Sequence, residues 1–345
     1  MIPSHDRPSA KVGETPEPSP RDPGPRDPDR GNPGPEPVRF PSGDGECLGD
    51  LYLPRDEDHP KGRRDGAAPP VVILAHGIGA ERGFGLAPFA ERFVARGMAA
   101  LVFDYRHFGE SPGEPRHLVS PARQVEDYLA AMAFVRGDPR LDGGRIGLWG
   151  TSFSGGHVLV AAAGAPEGLR AVVSQIPFVS GLSSTLAYPL RFHVPAIALG
   201  VADTLKGWLG GSPITVPVVR KGGLALLASP DSYDGYMAMV GKGSNWSGRV
   251  PARVFLEILR YHPIRKAKQV RTPTLILGAT RDRICPIPAT RRAAGRIDGA
   301  RFQEFSMGHF DAYGGKWFDR FAAMEGEFLE LHLLKSIPLE AHRNR

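Results

Sequence analysis

A chain of 345 residues is long enough for one large α/β domain carrying an insertion, or for two modest domains. Its formal charge of +6 comes from 43 basic against 37 acidic residues, with no dense Lys/Arg run among aromatics, which argues against a nucleic-acid partner. No stretch approaches the roughly 18–20 apolar residues that cross a bilayer, and the first twenty residues lack the apolar centre of a signal peptide. A soluble, cytoplasmic protein with no membrane partner is expected. Cys47 and Cys285 stand far apart and outside any C-x-x-C pair, which points to free thiols rather than a metal site or a disulfide framework.

Residues 1–38 alternate Pro with Asp, Arg and Glu and hold almost nothing apolar, the composition of a disordered tail. From Val38 onward the character changes. Val38–Phe40 and Leu48–Leu53 read as short strands around a Ser42-Gly43-Asp44-Gly45 turn, and Pro54–Pro69 reads as a charged surface loop. Val71–Ala75 is a continuous, largely β-branched run, as in a strand buried on both faces, and it ends at His76-Gly77. Leu86–Arg96 has helical spacing and stops at Gly97. Ala99–Phe103 is a second buried strand, Ala122–Val135 a helix, Ile146–Trp149 a third strand, Gly155–Ala163 a helix of small residues and Ala171–Gln175 a fourth strand.

The alternation predicts an α/β fold, a mostly parallel sheet with helices on both faces. Near Pro177 it breaks off. Residues 178–268 are rich in Gly, Pro, Ala and aromatics and read as a mainly helical cap over the C-terminal edge of the sheet, dividing the core into 39–177 and 269–345. The rhythm resumes with a strand at Thr274–Gly278, a helix around Pro288–Gly295, a short strand at Ala300–Phe305 and a closing helix at Trp317–Leu334.

The strongest chemical signal is Gly150-Thr-Ser152-Phe-Ser154-Gly155-Gly156, where a buried strand runs into a small-residue turn and then a helix. Such a turn holds a serine exposed on a sharp bend, with a helix N-terminus behind it that favours developing negative charge. Two serines compete. Ser152 follows the last strand residue, Trp149, at the spacing a nucleophile needs, which leaves Ser154 in the place of the second glycine. Of the eleven histidines, only His309, in Ser306-Met-Gly-His-Phe, combines a loop context with a place after both the serine and a strand-end acid.

With His76-Gly77, the Asp104–Ser111 segment, the Gly150–Gly156 elbow, Gly278–Asp282 and Gly308–Tyr313 in this order, the sequence resembles the α/β-hydrolase superfamily from Val38 to its end. The Ser-Gly-Gly-His elbow and the His-Phe-Asp-x-Tyr ending are similar to a capped subgroup. It holds dienelactone-hydrolase-like and Xaa-Pro-dipeptidyl-peptidase-like esterases and acyl-transferring hydrolases of polyketide pathways. The resemblance implies a catalytic triad of Ser152, Asp282 and His309, with an oxyanion hole from the backbone N–H groups of Ile78 and Phe153. Asp298 lies before a strand and Asp311 two residues from the histidine, which makes both poorer acids. His76 is expected to be structural, Asp104 and Arg106 a loop-fixing pair, and His157 a packed or surface residue.

The cap is expected to choose the substrate. Phe178, Tyr188, Phe192, Trp208, Tyr233, Tyr236 and Trp246 either line an apolar pocket or form the cap's own core. The expected activity is hydrolysis of a small, hydrophobic carboxylic ester or thioester through an acyl-serine. The alternatives are acyl transfer or peptide cleavage through the same intermediate, and a non-catalytic binding protein. A peptidase needs a carboxylate for a free amine, for which Asp231, Asp234 and Glu257 are the candidates. No cofactor is implied, the partner is a small-molecule substrate, and a homo-oligomer is left open.

Overall fold

The computed structural model describes residues 34–55, 67–241 and 244–335. Two antiparallel strands open it, β1 (Glu36–Ser42) and β2 (Gly45–Tyr52), joined by a turn at Gly43 and Asp44. Strand β1 starts inside the stretch expected to be a tail. Its residues from Glu36 to Val38 pair with Leu51, Asp50 and Gly49 of β2, so this strand starts earlier than the composition suggests. The rest of the expected tail, residues 1–33, lies outside the described residues.

The core then alternates: β3 (Pro70–Ala75), α1 (Ala87–Val94), β4 (Ala99–Phe103), α2 (Pro121–Gly137), β5 (Asp142–Thr151), α3 (Phe153–Ala163) and β6 (Leu169–Gln175). Between β6 and the next core strand come α4 (Gly181–Ala187), α5 (His193–Trp208), β7 (Thr215–Pro217), α6 (Ser232–Met237), β8 (Arg249–Pro251) and α7 (Val254–Arg260). The core closes with β9 (Thr274–Ala279), α8 (Ile287–Ala294), β10 (Arg301–Phe305) and α9 (Gly315–Leu333).

The main sheet has the strand order β1-β2-β4-β3-β5-β6-β9-β10. Its pairings from β4 to β10 are parallel, and β1 and β2 add an antiparallel edge. In β3 the side chains alternate between two layers, Val71 and Ile73 into one and Val72 and Leu74 into the other, all fully buried. Each such residue contributes about 1.5–3 kcal/mol by leaving water. That is why the run is apolar without interruption: both faces are covered, by α2 and α3 on one side and by α1 and α9 on the other.

The inserted segment is mainly helical, with β7 and β8 forming a small antiparallel pair of their own. Asp203 on α5 holds it together from within. Its carboxylate accepts the Ile214 N–H at 2.8 Å, the Arg253 N–H at 2.9 Å and the Arg253 Nε–H at 2.7 Å.

Asp104 and Arg106 do not form the expected pair. Asp104 binds the backbone N–H and guanidinium of Arg82, whereas Arg106 reaches Asp127 at 2.6 Å, Glu126 at 2.5 Å and Asp44 at 2.9 Å. The two side chains leave the same loop in opposite directions, one toward the loop after β3 and the other toward the β1–β2 turn. Cys47 and Cys285 are both free and buried.

Candidate active site

Strand β5 delivers Ser152 to the C-terminal edge of the sheet, and α3 begins at the next residue. The bend between them is tight enough that Ser152 adopts φ 56° and ψ −117°, a backbone region that L side chains rarely occupy. A Cβ on Gly150 would stand 2.3 Å from the Ser154 carbonyl oxygen, so only glycine fits where strand and helix approach.

The imidazole of His309 bridges two groups. Its Nδ1 lies 2.6 Å from Asp282 Oδ2, and its Nε2 lies 3.0 Å from Ser152 Oγ. With Nδ1–H donating to the carboxylate, Nε2 is left as the acceptor for the serine hydroxyl. Asp282 follows the buried strand β9. Its other oxygen accepts the backbone N–H groups of Ile284 and Cys285, each at 2.7 Å, which fixes the carboxylate before it meets the histidine. Ser152, Asp282 and His309 are all buried, so the chain of hydrogen bonds is shielded from competing water.

Ser154 is placed differently. Its hydroxyl is bonded to the His76 carbonyl and the Tyr105 hydroxyl, deep in the core and away from His309. Asp298 is exposed, and Asp311 accepts the Gly308 N–H at 2.7 Å rather than the histidine. His157 is packed behind the elbow between the Tyr261 hydroxyl at 2.7 Å and Gln124 at 3.1 Å; burial, and then the neighbouring His76, push its pKa down to about 3. His76 is buried beneath the turn it begins, and burial lowers its pKa as well.

The turn after β3 runs directly over the serine. A Cβ on Gly77 would touch Ser152 Cβ at 3.3 Å, and Ile78 and Phe153 flank Ser152 in the wall of one cavity. Two side chains of the inserted segment hold this turn from above. Tyr236 Oη donates to the Ile78 carbonyl at 3.0 Å, and Trp246 Nε1 to the Gly79 carbonyl at 2.8 Å. Sequence reasoning placed both aromatics only as pocket wall or cap core. Their hydrogen bonds to the turn had no sequence signal, because the partners are backbone atoms more than 150 residues away.

Beside Ser152 opens a cavity of about 530 Å³, within the size range of small-molecule sites. Its wall is mainly apolar, from Phe178, Tyr188, Ile197, Leu226, Phe255 and Ile258 among others. Of the expected aromatics, Phe178 and Tyr188 line it, whereas Phe192 and Tyr233 do not and Trp208 is 81% exposed on the outer surface. A narrow crevice of about 20 Å³ meets Ser152 from the other side, along His309 and Tyr313.

Asp231, Asp234 and Glu257 are all absent from the wall of the cavity, and Asp234 is paired at the surface with Lys221 at 2.9 Å. Asp282, Cys285 and His309 offer ligand atoms within 4.8 Å of one another. The 2.6 Å contact between Asp282 and His309 is a hydrogen bond, shorter than the roughly 3.3 Å edge of a tetrahedral metal site with bonds near 2.0–2.3 Å. Burial and the adjacent Asp282 push the Cys285 thiol well up, so it stays protonated beside the serine.

The family described as serine aminopeptidase, S33, matches residues 66–306. The chain is 39% identical over 297 residues, 86% of its length and 94% of the relative's, to the quorum-quenching protein AidA of Acinetobacter baumannii. It is 29% identical over 236 residues, 63% of its length and 70% of the relative's, to the thiohydrolase aneE of Aspergillus aculeatus. The α/β hydrolase GrgF from Penicillium sp. sh18 superposes on 87% of this chain and 99% of its own, with a TM-score of 0.73 at 20% identity. Relatives thus include thiohydrolases and acyltransferases, as expected for an enzyme acting on acyl groups.

Proposed function

This chain belongs to the S33 serine aminopeptidase-type family of α/β hydrolases, and we propose that it cleaves a carboxylic ester or thioester with an apolar acyl part through an acyl-enzyme on Ser152. The observation that carries this reading is the unbroken line from Asp282 through His309 to Ser152 at the mouth of an apolar cavity.

In this mechanism the acyl chain occupies the cavity and its carbonyl carbon sits against Ser152 Oγ. The oxygen attacks as its proton passes to His309 Nε2, and Asp282 stabilises the imidazolium through Nδ1–H. The tetrahedral oxyanion is received by the N–H groups of Ile78, in the turn after β3, and of Phe153, at the N-terminus of α3. Collapse breaks the bond to the alcohol or thiol, which leaves with the proton from His309. Water then repeats the sequence: it attacks the acyl carbon, gives one proton to His309 and releases the acid as Ser152 recovers the proton.

Two features favour hydrolysis over the alternatives. The crevice on the His309 side has a volume that admits a water molecule beside Ser152 and His309. The cavity wall among the described residues offers no carboxylate besides Asp282 to hold the free amine of a peptide substrate.

A fluorophosphonate probe followed by peptide mapping tests the assignment. Modification of Ser152, absent in Ser152→Ala, is the expected result. Modification of Ser154, or none in folded protein, overturns it.

A further inference from the structure

The outer face of the inserted segment is apolar where a soluble surface is ordinarily polar. Leu190, Val194, Ile197, Val201, Leu205 and Trp208 follow one another at helical spacings of three and four along α5 and the turn before it. Leu190 and Val194 are each 78% exposed, Trp208 81% and Leu209 87%. The opposite face of α5 is the one that packs: Ala196, Gly200 and Asp203 are buried. Leu182 and Leu186 of α4 are 55% and 69% exposed as well, where the apolar residues of a monomer's surface are ordinarily scattered singly.

Charge decides what covers this face. Between residues 178 and 214 the charged side chains are Arg191, Lys206 and Asp203, and Asp203 is buried against Arg253. The exposed charges are therefore both cationic, one near each end of the stripe. A second copy packed helix to helix would bring these cations together in either orientation. Residues 1–33 have only Met1, Ile2 and Val12 as large apolar side chains, too few to cover the stripe. An anionic lipid surface satisfies both components at once, taking the apolar stripe with Trp208 at its border and pairing phosphates with Arg191 and Lys206.

The stripe is also continuous with the site. Ile197, a member of the stripe and 45% exposed, also lines the cavity beside Ser152. We infer that this protein docks by α4 and α5 on anionic lipid, with the cavity mouth next to the layer from which an apolar acyl substrate is drawn. The substrate part rests on the hydrolase reading; the docking does not. The expectation of no membrane partner came from the absence of a crossing segment, and a face that lies on lipid needs none.

Flotation of the full-length Ser152→Ala protein with phosphatidylcholine vesicles, with and without phosphatidylglycerol, tests docking apart from catalysis. Flotation with the anionic vesicles is expected, weakened by salt and by Arg191→Glu with Lys206→Glu. Val194→Glu with Trp208→Glu should lower vesicle partition about tenfold or more. Circular dichroism reports whether these exposed substitutions leave the fold intact, and fluorophosphonate labelling of the same variants with Ser152 restored tests the site. Failure to float, or equal flotation with neutral vesicles, overturns the inference. So does a dimer in light scattering that Val194→Glu dissociates, since the stripe would then be an interface between copies.

Discussion

Tyr236 and Ser152 are linked through a single residue: the tyrosine hydroxyl holds the Ile78 carbonyl at 3.0 Å, and Ile78 lies beside the serine in the cavity wall. The inserted segment therefore reaches past the substrate cavity to the backbone assigned to the oxyanion. Removing that hydroxyl frees the Ile78–Gly79 peptide, and through the Ile78 φ and ψ loosens the adjoining peptide that carries the Ile78 N–H, while leaving the triad intact. For Tyr236→Phe, kcat on a p-nitrophenyl ester should fall about 3–10-fold, the worth of one net hydrogen bond, with KM nearly unchanged. Trp246→Phe should act in the same direction through Gly79. A rise in KM with kcat preserved would place both residues in binding alone.

Ser154 makes its contribution to the fold. Its hydroxyl joins the His76 carbonyl to Tyr105 in a fully buried position, so Ser154→Ala leaves buried partners unsatisfied. Urea unfolding should show a loss of about 1–3 kcal/mol. Labelling of Ser152 by a fluorophosphonate should persist. A fully stable variant that no longer labels would reverse the roles of the two serines.

Cavity length should govern substrate choice. Ala228 lines the cavity and is only partly buried, so a larger side chain there can project into the space without rebuilding the core. Ala228→Phe should reduce kcat/KM for decanoyl over acetyl esters by about tenfold, in line with a few methylenes excluded from an apolar site. An unchanged ratio would put the acyl chain elsewhere.

Acid stability carries the mark of His157. Its pKa is about 3 in the folded protein because burial opposes the charged form, against an ordinary 6.5 in the unfolded chain. Between these values the unfolded chain binds more protons, so stability falls as pH drops from about 6.5 toward 3. In His157→Gln the slope of unfolding free energy between pH 7 and 5 should be shallower by up to about 1.4 kcal/mol per pH unit. His76, lowered by burial as well, contributes to the same window, so some slope remains. An identical slope in wild type and variant would mean that His157 becomes charged without unfolding.

Much of the fold was legible because its signals are local. Val71–Ala75 is apolar in every position because both faces of the strand are covered, and the turn at Ser152 needs small neighbours within a few residues. Chain order together with a loop context singles out His309 among eleven histidines, and its ring is the one that meets Asp282 and Ser152. What escaped the sequence depends on contacts between distant segments. Nothing near Arg106 announces Asp127, nothing near Ile78 announces Tyr236, and Trp208 looks equally suited to a pocket wall or an exposed helix end. The start of β1 escaped for a different reason. Glu36 and Pro37 are poor strand formers, and their pairing with β2 overrides that preference.

The backbone of Ser152, at φ 56° and ψ −117°, sets the fold against its own chemistry. Glycine alone adopts that conformation without strain, so Ser152→Gly should melt several degrees higher than the wild type while Ser152→Ala, which keeps its Cβ, should not. Selection for turnover is then what retains a side chain at this position. In a lineage released from that selection, a glycine at this position would cost the fold nothing. A glycine at the elbow of an otherwise intact descendant would record a lost activity rather than a damaged fold.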